Sequence, residues 1–248
     1  MRLRQIALVA HDLAKNADDL TAVLGLSVGY RDPEVGKYGL HNIVAPIGSD
    51  FLEIVSPTVD GTSAGRYLAR RGGDGGYMVI LQGPDAAAER HRLEAMGVRV
   101  VEKIDRPAYV ASHFHPADTG GILLSVDSVP GGNWRDEDCE WPPGGPQWRS
   151  HRRDGARLVG AELQADDPDA FAALWSTLLG LPVQDRTIRL SNASLRFVTA
   201  TDGRGRGLGG FDVTIADRAR ALAEAARRGL AVSGDTVTLC GTRVRLLA

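Results

Sequence analysis

The chain repeats itself, and the repeat limits what it can fold into. ARLVGAELQADDPDAFAALWSTLLGL lies over MRLRQIALVAHDLAKNADDLTAVLGL, so that Leu179, Gly180 and Leu181 fall on Leu24, Gly25 and Leu26, 155 residues earlier. Each copy is an apolar strand-like run, a turn and an amphipathic helix closed by glycine. In the first copy Leu13, Ala17, Leu20, Val23 and Leu24 gather on one helical face before Gly25. Two β-rich pieces follow, GLHNIVAPIG and DFLEIVSP, and a short helix is expected from about Thr62 to Arg70.

A finer repeat lies inside each half. After RRGGDGG, read as a flexible join, YMVILQG begins a new strand. PDAAAERHRLEAMG predicts a helix with Pro84 at its start and Gly97 beyond its end, and VRVVEKI, YVASHFHP and GILLSVDS complete the unit as strands. The second half keeps this order in trimmed form: TIRLSN, SLRFVTA, GFDVTIADRARALAEAARRGLAV and TVTLCGTRVRLLA. The chain thus reads as four β-α-β-β-β units in two pairs, an α+β class. A unit this small cannot bury a sheet face alone, so the units should pair. The expected organisation is residues 1–128, two units; 129–155, a strap; and 156–248, two trimmed units. The strap is dense in Pro, Gly and charge yet holds Trp134, Trp141 and Trp148, three of the four tryptophans. Disordered linkers seldom carry so many large aromatics. An ordered strap crossing between the halves, all three indoles buried, is expected; a lid or partner-binding segment is the alternative.

Bulk properties exclude several classes of function. The formal charge is -2 with no long basic block, so nucleic acid is not an expected partner. No run approaches 18 apolar residues and no apolar leader opens the chain, so no membrane partner is expected. Cys139 and Cys240 stand far apart without a nucleophile motif, and read as free thiols of a cytoplasmic protein. RRGGDGG lacks the strand-turn-helix setting of a phosphate loop, so no nucleotide cofactor is expected.

The chemistry is expected around Glu53, a carboxylate inside the strand LEIVSP. If buried, it must be compensated by a metal, a cation or a proton; a surface-facing or salt-bridged role is the alternative. Strand alternation puts Glu53 on the face of Phe51 and Val55. Gln5 opens the apolar run of the first strand, and His41 and Asn42 are adjacent in the strand before Glu53, so only one of them can face inward. A histidine there could form an acid/base pair with the carboxylate or merely satisfy it by hydrogen bonding. His113 and His115, two apart in a strand, share a face and could bind metal or pack. Arg189, Arg196, Arg243 and Arg245 lie in C-terminal strands and, if buried, need carboxylates or a bound anion.

RQIALVAHDL with the helix ending VLGL, then YGLHNIVAPIGSDFLEIVSP, then HPADTGGILLSV, resemble the vicinal oxygen chelate superfamily (the glyoxalase, bleomycin-resistance and dioxygenase group), and within it the glyoxalase-like domain proteins. The likeness is good over residues 1–128 and weaker over 156–248. It implies two curved sheets, each enclosing a cavity in which four inward residues can hold a divalent metal. Carried onto this chain, the first unit supplies Gln5 and Glu53 as metal ligands and the second Tyr77 and Ser125, a poor complement. The C-terminal positions, Gly160, Arg196, Phe211 and Arg245, offer no usual ligand. A divalent metal is therefore expected to be held weakly or not at all.

The expected function is binding, and in the enzyme reading transformation, of a small oxygenated or aromatic metabolite in the N-terminal cavity by lyase, isomerase or dioxygenase chemistry. Glu53, His41 and His113 stand as the catalytic candidates, with Tyr77, Ser125, Asn42 and His115 as the substrate-binding candidates. The alternative is a binding protein that sequesters the molecule without turnover. A homodimer is the expected partner state.

Overall fold

The computed structural model describes residues 1–248, and its elements follow the repeat. The first unit holds β1 (Arg2–Val9), α1 (Leu13–Leu24), β2 (Leu40–Ile47) and β3 (Asp50–Pro57). After α2 (Ser63–Arg71) the second holds β4 (Gly75–Gln82), α3 (Ala86–Ala95), β5 (Val100–Arg106), β6 (Tyr109–Phe114) and β7 (Leu123–Ser128). The third is β8 (Ala156–Ala165), α4 (Pro168–Leu179), β9 (Val183–Gln184), β10 (Thr187–Arg189) and β11 (Ser194–Thr199). The fourth is β12 (Gly207–Ile215), α5 (Arg218–Arg227), β13 (Val232–Ser233), β14 (Thr236–Leu239) and β15 (Thr242–Leu247). The first unit falls one strand short: after α1 the chain makes only an isolated bridge, Tyr30 to Val44, and a 3-10 turn over Pro33–Tyr38.

Helix caps carry the repeat into three dimensions. Asp12 accepts the Lys15 N–H at the start of α1, and Gly25 closes the helix in the left-handed region at φ 66°. Asp167 and Gly180, 155 residues on, do the same for α4, at φ 63°. Asp85, not Pro84, caps α3, and Asp217 caps α5. A short acceptor before each helix, with glycine after α1 and α4, sets where the strand-to-helix turn falls.

Two curved mixed sheets result, ordered β2-β3-β1-β4-β7-β6-β5 and β13-β14-β15-β12-β8-β11-β10-β9. Each has an antiparallel central pair, β1 with β4 and β8 with β12, flanked on both sides by parallel pairs. Helices α1, α3, α4 and α5 and one face of both sheets share a continuous apolar core, including Leu3, Ile6, Leu20, Trp175, Phe211 and Leu246, while α2 packs separately against Val9 and Val55. The halves also cap each other's helices. Arg220 of α5 donates to the Ala22 and Val23 carbonyls at the end of α1, at 3.0 and 2.7 Å, and Arg92 of α3 donates to the Leu178 carbonyl of α4 at 2.5 Å. Guanidinium groups thereby meet the unpaired carbonyls and negative end of a helix dipole.

RRGGDGG is anchored rather than flexible. Arg204 donates to the carbonyls of Arg71, Gly73 and Asp74, and Arg71 donates back to Arg204 and Arg206. No helix is long and apolar enough to cross a membrane.

The strap does not cross between the halves. It lies on the inner face of the first sheet, where Trp141 and Trp148 pack with Ala7, Val44, Phe51, Met78, Ile80, Tyr109 and Ala111. Both indoles are buried, which contributes roughly 3 kcal/mol each. Trp134 is only half-buried, stacked beneath the Arg135 guanidinium with 4.2 Å to the ring centre. Gly144 and Gly145 let the strap lie this close: a Cβ on either would stand 2.4 Å from the Phe51 ring and 2.5 Å from that of Tyr30.

Candidate functional site

The inner face of the first sheet, where the strap leaves it open, encloses a cavity of about 1180 Å³. Tyr30, Tyr67, Tyr77 and Tyr109 wall it, Pro142 and Pro143 of the strap close one side, and Gln5, Asn42, Glu53 and Asp127 supply polar groups. β3 carries Glu53 inward because its neighbours two residues away, Phe51 and Val55, belong to inner-face clusters, while Leu52 and Ile54 belong to the shared core.

Gln5 and Glu53 converge: the Gln5 Nε2 donates to Glu53 Oε2 at 2.8 Å, and the Asn42 Nδ2 donates to Glu53 Oε1 at 2.6 Å. Both amide orientations are set from behind by groups that can only donate. The Trp141 indole N–H reaches Gln5 Oε1 at 2.9 Å, and the Asp32 backbone N–H reaches Asn42 Oδ1 at 2.8 Å. Each amide must therefore present its nitrogen to the carboxylate. Burial raises the proton affinity of Glu53, and the two amide bonds pull against that rise.

Asp127 is the second buried acid of the cavity, and sequence reasoning passed over it. It lies two residues beyond Ser125 on the inward face of β7, in the run LLSVDS, where alternation from Ser125 could have found it. The Tyr109 hydroxyl and the Ser125 hydroxyl both donate to its carboxylate. Burial pushes its proton affinity up to about 7, the two hydroxyl bonds opposing the rise. Neither Glu53 nor Asp127 has a cationic partner; neutral donors alone hold them.

The expected residues divide. His113 and His115 border the cavity, as their shared face requires. Burial drives His113 down to about 4, so it is neutral near pH 7. His41 is exposed and lines no part of the cavity; Asn42 faces inward in its place. Ser125 is turned to Asp127 and is fully buried behind it. Tyr77 is a wall residue, pushed up to about 12 by burial. It does not occupy the position equivalent to Gln5. Counting back seven residues from the caps Asp12 and Asp85 gives Gln5 and Met78, and the β1–β4 register slips near this point. The same count from Asp217 gives Gly210, not Phe211.

The four ligand positions of the first sheet are thus Gln5, Glu53, Met78 and Ser125, and this set does not fit a divalent ion. The Gln5 oxygen is committed to Trp141, the Ser125 hydroxyl to Asp127, and Met78 offers only a soft thioether.

A family model described as a glyoxalase-like domain matches residues 6–179, from within β1 through the strap to the end of α4. The chain belongs to this glyoxalase-like domain family. No curated protein matches it. A hypothetical protein from Staphylococcus aureus of solved structure is 13% identical over 99% of this chain and 98% of its own, with a TM-score of 0.65. Methylmalonyl-CoA epimerase from Streptomyces coelicolor, solved with 2-nitronate-propionyl-CoA, is 22% identical over 52% of this chain and 97% of its own, with a TM-score of 0.47. The full-length neighbour shares the tandem architecture, so both halves of this glyoxalase-like protein belong to one recurring fold.

In the second sheet the inner face is an ion-pair lattice. Asp212, buried, accepts from Arg196 at 2.7 Å and Arg245 at 3.0 Å, and Glu162 accepts from Arg196 at 3.1 Å and Arg243 at 2.7 Å. Arg196, Arg243 and Arg245 therefore have carboxylate partners, and Arg189 is exposed.

Proposed function

We propose that the N-terminal cavity of this glyoxalase-like protein binds a small oxygenated or aromatic metabolite without a metal ion, and that Glu53 and Asp127 are the groups that orient it. The observation that carries this is a pair of buried carboxyl groups in one tyrosine-walled cavity, each held by neutral donors and each with raised proton affinity. Asp127 is poised to exchange a proton with the bound molecule near neutral pH, which suits isomerase- or lyase-type proton transfer. Glu53, clamped on both oxygens, acts as a fixed acceptor for a ligand hydroxyl. The tyrosine walls supply apolar ring faces for an aromatic body.

A second reading, sequestration without turnover, is favoured by the hydrogen bonds that already occupy both carboxylates. The test is calorimetric screening of small hydroxylated aromatics and oxo-acids against wild type, Glu53→Gln and Asp127→Asn, followed by NMR of any bound compound in deuterated water. The proposal expects affinity to fall about tenfold or more in Glu53→Gln, the worth of one charge-assisted hydrogen bond. It further expects deuterium to enter the ligand with wild type but not with Asp127→Asn. Binding without deuterium exchange supports sequestration, and unchanged affinity in both variants refutes the site.

A further inference from the structure

A second polar cluster lies under the strap, at the end of the first sheet away from the two carboxyl groups. Arg4 is completely buried there and has no ion-pair partner. Its only hydrogen bond runs from Nη2 to the Cys139 carbonyl at 2.9 Å. Its guanidinium sits among Phe51, Trp141 and Trp148, with 5.3, 5.3 and 5.7 Å to the ring centres. Burial lowers its proton affinity to about 10, which leaves it charged at neutral pH. Arg2, also buried, donates to Ser49 at 2.9 Å and Asp50 at 2.7 Å.

The donors and charges do not balance. Arg2 Nε, Arg4 Nε, Arg4 Nη1 and Trp148 Nε1 are buried side-chain donors without a partner, and Gln82 Oε1 is the one buried side-chain acceptor without a partner. Gln82 pairs with Arg2 across β1 and β4, and its Nε2 lies 3.6 Å from Cys139 Sγ, which brings it to the same cluster. Two guanidinium groups face one carboxylate, Asp50, so one positive charge is uncompensated. Arg149, stacked on Trp148 at 4.7 Å, adds none inside, because it pairs with Glu140 at 3.0 Å. Water would accept from these N–H groups but would leave the second guanidinium charge uncompensated. An anion accepts from all of them and cancels the charge.

We infer that the closed end of the first sheet is a binding site for one small monovalent anion, a halide or a small carboxylate, held by Arg2, Arg4 and the indole N–H of Trp148. The site differs from the metabolite cavity in place: Arg2, Arg4 and Trp148 do not line that cavity. Because Trp148 and Cys139 belong to the strap, an anion here ties the strap to β1. The same tie steadies Trp141, which sets the orientation of Gln5.

The test is thermal unfolding of the full chain in chloride, bromide, formate, sulfate and gluconate at equal ionic strength. Saturable stabilisation by chloride, bromide or formate over gluconate is expected, with Tm rising roughly 5 to 10 °C at a hundredfold excess over Kd, and no such response to sulfate. Halide response alone identifies a spherical ion and formate response alone a carboxylate. Arg4→Met should lose the response. Should that variant fail to fold, Trp148→Phe decides, with anion affinity expected to fall at least fivefold. Crystals grown in bromide should show its anomalous peak among Arg4, Arg2 and Trp148. Equal Tm in all five salts, affinity unchanged in Trp148→Phe, or water alone at that position overturns the inference.

Discussion

Replacing Asp127 by asparagine should change how stability depends on pH, in a direction the structure fixes. In the folded chain this carboxyl ionises near 7, against 3.8 when free in water. Below pH 4 both states are protonated and the residue contributes nothing to pH dependence. Between about 4 and 7 the unfolded chain releases the proton while the folded chain keeps it, so the folded state binds more protons and stability falls as pH rises. Above 7 both are ionised and the penalty is complete. About three units at about 1.4 kcal/mol per unit give an upper limit near 4 kcal/mol, which water entering the cavity reduces by screening.

Asparagine is nearly isosteric and keeps the hydrogen bonds, because the Tyr109 and Ser125 hydroxyl groups can accept as well as donate. It carries no titrating proton. Urea unfolding of wild type and Asp127→Asn at half-unit steps from pH 4 to 8 isolates the residue, since Glu53 and Asp50, also raised by burial, titrate in both proteins. The gap should widen in favour of the variant by about 2 to 4 kcal/mol between pH 4 and 7 and then level off. A gap that stays constant across that window would refute the environment assigned to Asp127.

Trp141→Phe should cost about 2 to 4 kcal/mol in denaturant unfolding, because it leaves Gln5 Oε1 a buried acceptor without a donor and shrinks a buried ring. Asp212→Ala should cost about 1 to 3 kcal/mol by the same measurement; it frees two arginines, whose partial exposure softens the loss. His41→Ala should change stability by less than about 0.5 kcal/mol and leave calorimetric ligand affinity unchanged, since the side chain is outside the cavity.

The fold was legible because it is written in local signals. Asp12 and Asp167 before a helix, Gly25 and Gly180 after one, and apolar runs of fixed length between them recur at one spacing. The pairing of Gln5 with Glu53 could also be anticipated, since both interrupt apolar strands whose alternation sends them to one side. Three things escaped. The second-unit position falls on Met78 rather than Tyr77 once both units are counted from their caps, Asp12 and Asp85, because strand alternation alone does not fix the register between two repeats. Asp127 was masked by Ser125, which occupies the position equivalent to Glu53 but turns its hydroxyl to its neighbour. The strap has no period at all, so its tryptophans announced burial without announcing where.

The two sheets show how one architecture yields a wide cavity in one half and a self-neutralised inner face in the other. Gln5 in the first sheet corresponds to Gly160 in the second, each seven residues before its helix cap. A Cβ at Gly160 would stand 2.6 Å from Asp212 Oδ2, so the space an amide fills in the first half is taken by a carboxylate in the second. Glu53 corresponds to Arg196, which lies on β11 beside β8 as Glu53 lies on β3 beside β1, and Arg196 donates to that carboxylate. The second sheet thus neutralises its inner face with its own side chains. The first leaves two carboxyl groups held only by neutral donors, under a strap that covers part of the face and leaves room for a ligand over the rest. A charge left without an internal counter-charge is where a binding partner can gain most, which is why we propose ligand recognition on the half that kept its acids unpaired.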